Sequence, residues 1–188
     1  RIKLNGKFIE KDFVSDFVTK HIEFFENNKI SFFEMTLAMA FDYFAKSNVD
    51  IAVIETGLGG RLDSTNILDP LVSLITNIGL DHKEFLGNDI KDIAKEKAGI
   101  IKNSVPIVIS EFQKETYSIF ENKAQKIETN IFLADNQKKF KTDLLGDFQN
   151  KNINGVVKVI SLLKDFNISN KDIENGLLNI KKNTGLIG

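Results

Sequence analysis

Residues 51–66 read IAVIETGLGGRLDSTN, and this stretch decides the fold that the sequence predicts. With Asp50, its first four residues predict a short buried strand, and three glycines follow within the next six positions. A glycine-rich turn after a buried strand is typical of parallel α/β sheets, which bind ligands at the carboxyl ends of their strands. The stretch is not G-x-G-x-x-G, and the chain contains no G-x-x-x-x-G-K-[ST]. This loop alone is therefore not predicted to cradle a dinucleotide or a triphosphate.

Helical and strand patterns alternate along most of the chain. Residues 1–9 predict a short strand or a hairpin around Asn5-Gly6, and residues 31–46 are apolar almost all round, which predicts a helix buried on most of its surface. The other predicted strands are 50–54, 71–78, 106–109 and 130–134, and the other predicted helices are 11–27, 89–101, 114–128, 152–166 and 170–181. This alternation predicts an α/β fold with a mostly parallel sheet flanked by helices.

The composition excludes several classes of protein. The chain has 188 residues, with 25 basic and 26 acidic side chains, so no charge field marks nucleic acid as the main partner. Cysteine is absent, which excludes disulfides and thiolate metal sites. No apolar run is long enough to span a bilayer, and no secretory signal is visible. A cytoplasmic protein without membrane partners is therefore expected.

Titratable residues follow two predicted strands. Glu55 comes after IAVI, where it either stabilises the loop or binds magnesium, alone or through water. His82 ends the sequence TNIGLDH beside Asp81. It is either a structural histidine or a metal ligand whose tautomer is fixed by a neighbouring oxygen.

Lys97 lies in AKEKAGI, near the end of a predicted helix. Charges on a helix usually form a solvated face, and that interpretation suits Lys95. Lys97 differs because it precedes an apolar helix end that can face inward, where a buried amine becomes nucleophilic. Its reaction with carbon dioxide would release one proton and leave a carbamate, a metal-binding group similar to a carboxylate.

Five motifs in this order resemble one family. They are SFFEMTLAMAFDYFA (31–45), ETGLGGRLDSTN (55–66), GLDH (79–82), EKAGIIK (96–102) and LLGDFQNKN (144–152). Together they resemble the folylpolyglutamate synthase and dihydrofolate synthase enzymes of the Mur ligase superfamily. The resemblance implies a three-layer, P-loop-like fold of the Mur ligase central-domain type. It also implies a monomer that uses ATP to ligate L-glutamate to dihydropteroate, to the γ-carboxylate of a folylpolyglutamate, or to both, through an acyl phosphate.

The resemblance implies residue roles by motif. Glu55 and His82 match magnesium ligands, and Lys97 matches the lysine that is carbamylated and organises a second magnesium ion. Asn152 matches an asparagine that contacts ATP, although DFQ departs from the family's commoner pattern. The residues that match segments in contact with the pterin-bearing substrate are Ser31, Phe32, Phe33, Glu34, Leu62, Asp63 and Ser64. For the phenylalanines, plain core packing stays an alternative.

Other family elements do not occur in these 188 residues. They are the phosphate-binding G-x-x-G-K-[ST] loop, the serine-bearing loop of the first magnesium site, an arginine after GLIG, and an aspartate of a carboxy-terminal domain. Residues 1–188 are therefore expected to be a partial ATP-binding domain, truncated at its N-terminal side and without the ligase domain downstream. Alone, they are expected not to catalyse ligation. Another Mur-type amide ligase and a non-catalytic module that binds pterin or metal stay open as alternatives.

Overall fold

The computed structural model describes residues 2–134 and 139–186. The chain divides into two compact units, Arg1–Gly57 and Leu58–Gly188. No helix in the described ranges is both long and apolar enough to cross a membrane.

The first unit is a hairpin followed by two helices. Asn5 and Gly6 both have positive φ, at 49° and 81°, as a two-residue Asn-Gly hairpin turn requires. Its elements are β1 (Lys3–Leu4), β2 (Lys7–Phe8), α1 (Lys11–Asn28) and α2 (Phe32–Lys46). Their shared core consists of Ile2, Phe17, Phe25, Met39 and Tyr43. The predicted hairpin and both helices are confirmed.

Helix α2 begins at a capping box formed by Ser31 and Glu34. The Glu34 N–H donates to Ser31 Oγ over 3.2 Å, while the Ser31 N–H and Oγ–H donate to Glu34 Oε2 over 2.8 Å and 2.6 Å. The hydrogen bond from the Ser31 side chain lowers the pKa of the Glu34 carboxyl. The pattern S-x-x-E is a known start signal of helices, so the sequence carried this information.

The predicted burial of residues 31–46 on most of their surface is wrong within this unit. Only Met39 and Tyr43 of α2 are buried, and Phe32 is 81% exposed. The reason is geometric, because α1 covers only one stripe of an α2 surface that is apolar on several sides.

The predicted strand at residues 50–54 is also wrong. Residues 51–56 take no strand conformation, and Val53 is 93% exposed. An apolar run becomes a strand only where another strand pairs with it, and the only strands that pair within the described part of the first unit are β1 and β2.

The second unit is built on a parallel sheet of three strands in the order β3-β4-β5. Leu74, Val108 and Phe132 are direct register partners across the three strands. The strands are β3 (Ser73–Ile75), β4 (Ile107–Ile109) and β5 (Ile131–Leu133). The helices are α3 (Lys83–Leu86), α4 (Ile90–Lys97), α5 (Tyr117–Lys126), α6 (Gln149–Leu162), α7 (Asn170–Leu178) and α8 (Ile180–Thr184). The strands and helices predicted here are confirmed with shorter or shifted ends, except that the helix predicted over 170–181 is divided at Asn179 into α7 and α8, and that α3 was not predicted.

Helices cover both faces of this sheet. On one face, Ile107 and Ile109 of β4 share a core with Ile93 of α4 and Phe120 of α5. On the other face, α6 packs on β3 and β4. The register partners Leu74, Val108 and Phe132 point toward this face, since side chains alternate along a strand. The Lys158 ammonium of α6 lies 4.7 Å from the centroid of one of these, the Phe132 ring. The three-layer α/β architecture is therefore confirmed in this unit.

Gly155 allows α6 to approach the sheet closely, which gives a stability test. A Cβ at this position would collide with the buried Ser110 side chain, whereas a Cβ on Gly176 in α7 would meet nothing within 4 Å. We expect Gly155→Ala to lower the free energy of unfolding of the 188-residue chain by about 1–3 kcal/mol through overpacking. Gly176→Ala should leave it unchanged or raise it by roughly 0.5–1 kcal/mol, because alanine favours helices. Urea titrations followed by circular dichroism measure both, and equal effects would contradict this packing.

The capping box of α2 predicts a pH-dependent effect of Ser31→Ala. Because the folded pKa of Glu34 lies below its ordinary value of 4.5, the ionised carboxylate stabilises the fold above that pH. This stabilisation is lost as the pH falls through the lower folded value. The loss of stability caused by Ser31→Ala should therefore be largest near about pH 7 and should shrink below about pH 4. Ser47→Ala at the opposite end of α2 is the control, and a difference that does not change with pH would refute the role of the carboxylate.

Candidate functional site

Two of the predicted motifs meet directly in the second unit. We call residues 58–67 the glycine loop and residues 96–102 the lysine turn. The Arg61 N–H donates to the Glu96 carbonyl over 2.8 Å. The Arg61 guanidinium also donates to Glu96 Oε1, from Nε over 3.2 Å and from Nη2 over 3.1 Å. Backbone and side chain of one residue pair therefore hold the loop on the turn.

Glycines make this contact possible. A Cβ on Gly99 would collide with the Arg61 backbone, and a Cβ on Gly60 would lie 2.8 Å from the Glu96 carbonyl oxygen. At both positions a glycine is required because two backbone segments approach each other closely. At these two positions the glycines therefore serve the docking of loop and turn.

Asn66 and Lys102 add further ties that the sequence analysis missed. Asn66 Nδ2 donates to the carbonyl oxygens of Gly99 and Arg61, over 3.1 Å and 3.2 Å. Lys102 Nζ donates to the Asn66 carbonyl over 2.6 Å. Both residues stand in the quoted motifs, but their pairing joins positions 36 apart and carries no local sequence signal.

Asp63 organises the glycine loop from within. Its Oδ2 accepts the Leu58 N–H over 2.8 Å, while Oδ1 accepts the Thr65 N–H over 2.9 Å and the Thr65 hydroxyl over 2.5 Å. Asp63 thereby caps the 3₁₀ helix Ser64–Ile67. Both of its oxygens are engaged, whereas the neighbouring Leu62 side chain is 78% exposed.

In the second unit, the two residues predicted to bind metal, Lys97 and His82, each have a side-chain nitrogen that bonds to no described residue. Lys97 is the last residue of α4 and half-buried, and its ammonium forms no hydrogen bond or ion pair with the described residues. His82 precedes α3 with a left-handed backbone (φ 49°), a conformation that is uncommon for a residue other than glycine and is found often at functional sites. Its imidazole is 54% exposed, with Nε2 lying 3.4 Å from Asp81 Oδ2.

Glu55 belongs to the first unit, where its exposed carboxylate forms no hydrogen bond or ion pair with any described residue. Carboxylate and imidazole groups are suitable ligands for a divalent ion such as magnesium or manganese, so Glu55 and His82 fit the predicted metal, whereas Lys97 would fit it only as a carbamate. In residues 2–134 and 139–186, no group of three or more histidine, aspartate or glutamate side chains lies close enough to hold an ion.

The SFFE segment has its own local structure in the first unit. The Phe33 ring packs against Gly57, where a Cβ would lie 2.5 Å from the ring carbon Cζ. The other phenylalanine, Phe32, is largely exposed at the start of α2. The capping box accounts for Glu34 without any ligand, since Oε2 is engaged by Ser31.

A polar network that was not predicted from the sequence lies at the carboxyl ends of β3 and β4. The Glu111 carboxylate accepts from Lys151 Nζ over 2.5 Å and from Asn77 Nδ2 over 2.9 Å. The hydrogen bond with Lys151 lowers the pKa of Glu111. Beside this network, the Gln113 amide both accepts the Ile78 N–H and donates to the Ile78 carbonyl over 2.8 Å. These contacts fix the first turn of α6 to the edge of the sheet where ligands of α/β proteins bind.

Asn152 lies in that first turn of α6. Its Nδ2 donates to Gln149 Oε1 over 3.3 Å. Both side chains line an apolar groove of about 410 Å³ between α6 and α7, together with Ile153, Val156 and Ile173. Asn152 therefore lies in the lining of an apolar groove with a few polar side chains, a composition that is typical of small-molecule sites.

The structure thus brings Leu62, Asp63 and Ser64 to the segment that carries Lys97, through the docking of loop and turn. No hydrogen bond joins His82 to Lys97 among the described residues. Ser31, Phe32, Phe33, Glu34 and Glu55 lie in the first unit, and Asn152 lies on a separate helix of the second.

The chain is similar to known proteins along most of its length. Residues 9–174 match the family model described as the Mur ligase middle domain. The probable dihydrofolate synthetase of Schizosaccharomyces pombe is 35% identical over 95% of this chain and 48% of its own length. A Bacillus subtilis protein, a dihydrofolate synthase/folylpolyglutamate synthase, is 50% identical over half of this chain and 22% of its own length.

Solved structures agree with these relatives. The crystal structure of folylpolyglutamate synthase from Thermotoga maritima matches with a TM-score of 0.81 at 31% identity, over 94% of this chain and 47% of that one. A folylpolyglutamate synthase in complex with AMPPCP and folate matches with the same TM-score at 27% identity, over 94% of this chain and 53% of that one. This chain spans about half or less of the length of these relatives and structures. With its sheet, its helices on both faces and its matched residues 9–174, the chain belongs to the Mur ligase middle-domain family.

Proposed function

We propose that this chain is part of an ATP-dependent ligase that joins L-glutamate to dihydropteroate, to the γ-carboxylate of a folylpolyglutamate, or to both. The observation that carries the proposal is the docking of the glycine loop on the lysine turn, because it unites the two most specific motifs of the chain. The similarity to folylpolyglutamate and dihydrofolate synthases over nearly the whole chain supports it. One similar structure holds AMPPCP and folate, and an Escherichia coli relative holds DHPP and ADP.

The reaction has two steps. An oxygen of the acceptor carboxylate attacks the γ-phosphorus of ATP, which forms an acyl phosphate and releases ADP. The amine of L-glutamate then attacks the acyl carbon, which forms the amide bond and releases phosphate and a proton. Most of the catalysis in such phosphoryl transfers is positioning and electrostatic stabilisation, so the protein acts chiefly through the placement of charges and loops.

We propose Glu55, His82 and Lys97 as the residues that hold magnesium, with Lys97 acting as a carbamate. Bound magnesium spreads the negative charge of the transferring phosphoryl group. The side chains of Glu55 and Lys97 form no hydrogen bond or ion pair with the described part of the chain, which supports these roles. For His82, the adjacent Asp81 carboxylate supports the role, since an oxygen partner at one ring nitrogen leaves the other to bind metal.

The acceptor-side roles rest on two exposed segments. Leu62 offers an apolar side chain to a pterin-bearing substrate, Asp63 gives its loop a fixed shape, and Ser64 lies in the 3₁₀ helix that Asp63 caps. In the first unit, the exposed Phe32 and the Phe33 ring are suitable for contact with a flat ring system, and the cap made by Ser31 and Glu34 fixes the start of their helix.

The nucleotide role is assigned to Asn152, beside the apolar groove of α6 and α7. In this proposal, residues 1–188 are a partial ATP-binding domain of the ligase. A monomer in the cytoplasm stays a prediction.

The acceptor is tested with the full-length protein, supplied with ATP, magnesium, L-glutamate and one acceptor at a time. We expect phosphate release to rise with dihydropteroate, with a folylpolyglutamate, or with both. A cell-wall precursor carboxylate is the control acceptor, and turnover with that compound alone would identify another amide ligase. Tight pterin binding without any phosphate release would instead indicate a non-catalytic module.

Lys97→Ala in the full-length protein tests the carbamate. We expect kcat to fall by about a hundredfold or more, because a group that organises the metal is lost. Short carboxylates such as acetate should restore part of the activity, since they replace the missing oxygen ligands. Lys95→Ala is the matched control two residues away, whose exposed ammonium pairs with Asp92 over 2.9 Å. Unchanged activity of Lys97→Ala, or a loss that no carboxylate restores, would refute the carbamate role.

A further inference from the structure

We propose that Asn66 is a positioning residue that makes the acceptor-side loop and the metal-side turn move as one body. The inference rests on the proposed function for the chemistry on either side of Asn66. Its structural part rests on contacts within the second unit alone.

The ties between loop and turn lie on both sides of Lys97. Before Lys97, the Glu96 carbonyl accepts the Arg61 N–H. After Lys97, the Asn66 amide donates to the Gly99 carbonyl, and Lys102 reaches back to the Asn66 carbonyl. Asn66 thus contributes its side chain and its backbone to separate ties, so the loop cannot shift without displacing the turn.

The lysine turn is itself anchored to the sheet. The hydroxyl of the buried Ser73, in β3, donates to the Ile100 carbonyl over 3.2 Å. Ile101 and Ala98 are buried in the same core as β4. The sheet therefore fixes the turn, the turn fixes the loop, and Asn66 joins the loop to two separate residues of the turn, Gly99 and Lys102.

This arrangement has a chemical consequence. The acceptor carboxylate must lie within reach of the γ-phosphorus, and a misplacement of about 1 Å is enough to slow such a step about a hundredfold. Lys97 stands on the metal side of this reaction and Leu62 on the acceptor side. If the connection through Asn66 sets the spacing between Lys97 and Leu62, breaking it weakens acceptor binding and raises the magnesium concentration that the reaction needs. The affinity for ATP stays unchanged.

The first test measures kinetics in the full-length protein with Asn66→Asp. The carboxylate keeps the size of the side chain but cannot donate, and it faces two carbonyl oxygens. We expect the KM for the pterin acceptor and the magnesium concentration for half-maximal rate each to rise about tenfold, which corresponds to the loss of the one hydrogen bond that the Asn66 side chain donates to the turn. The KM for ATP should not change. Lys102→Met should shift the same two parameters, and Lys102→Arg, which keeps a donor, should restore most of the shift.

Asn103→Asp is the matched control. Asn103 Nδ2 donates to the Ile127 carbonyl over 2.6 Å, so this variant loses a comparable bond next to the lysine turn without touching the glycine loop. We expect its acceptor KM and magnesium dependence to equal those of the parent protein. The same shifts in Asn103→Asp would show a general loss of stability and would overturn the proposal.

A second measurement needs no turnover. Hydrogen exchange in the 188-residue chain should become about tenfold faster at the Arg61 and Thr65 amides in Asn66→Asp, and should stay unchanged along α6. Unchanged exchange at Arg61 and Thr65 overturns the tie, whether or not the protein is a ligase. Faster exchange in a full-length protein that turns over no acceptor would overturn the ligase assignment and keep the tie. Faster exchange with unshifted KM values in an active ligase would overturn the positioning role.

Discussion

The second unit depends on a contact that only the absence of a side chain permits. Gly99 lets the backbone of Arg61 lie directly on the lysine turn, and the Arg61 N–H then pairs with the Glu96 carbonyl. Without this close approach, the other hydrogen bonds between the glycine loop and the lysine turn could not form together, since they all reach the same turn. The absence of a Cβ at Gly99 therefore allows residues 58–67 to dock on a turn that is far from them in sequence.

The sheet supplies the rigid support for that contact. Ile107, Val108 and Ile109 of β4 are almost completely buried, between strands on both edges and helices on both faces. A strand in this position cannot shift without exposing apolar surface on two sides. The adjacent network of Glu111, Asn77 and Lys151 joins α6 to the same edge. The lysine turn, which carries the docked glycine loop, and the first turn of α6 are thus both attached to the same sheet.

The sequence predicted the elements whose signals are local. Short apolar runs between helical patterns predicted β4 and β5, and Asn5-Gly6 predicted the first hairpin. The motifs singled out residues 55–66 and 96–102, which the structure brings into contact. The ties of Asn66 and Lys102 could not be predicted in the same way, because a hydrogen bond between positions 36 apart leaves no periodic pattern.

The wrong predictions have physical causes too. The run at residues 50–54 has the composition of a buried strand, but composition does not supply the neighbouring strand that pairing needs. The structure also gives Glu34 a role that its spacing from Ser31 already indicated, as part of a helix cap, while its contact with a pterin-bearing substrate stays a prediction. A carboxylate at the start of a helix should therefore be tested first against the backbone N–H groups beside it.

The internal bonding of Asp63 limits how selectivity can arise at this loop. Both oxygens of this carboxylate serve the loop, so an incoming molecule meets the exposed Leu62 side chain rather than a free charge. Contact with an aliphatic side chain distinguishes ligands by shape and discriminates by only about 1–3 kcal/mol per methylene. Under the proposed function, a loop of this kind would tolerate related acceptors of different length, and substitutions at the exposed position 62 would change its preference.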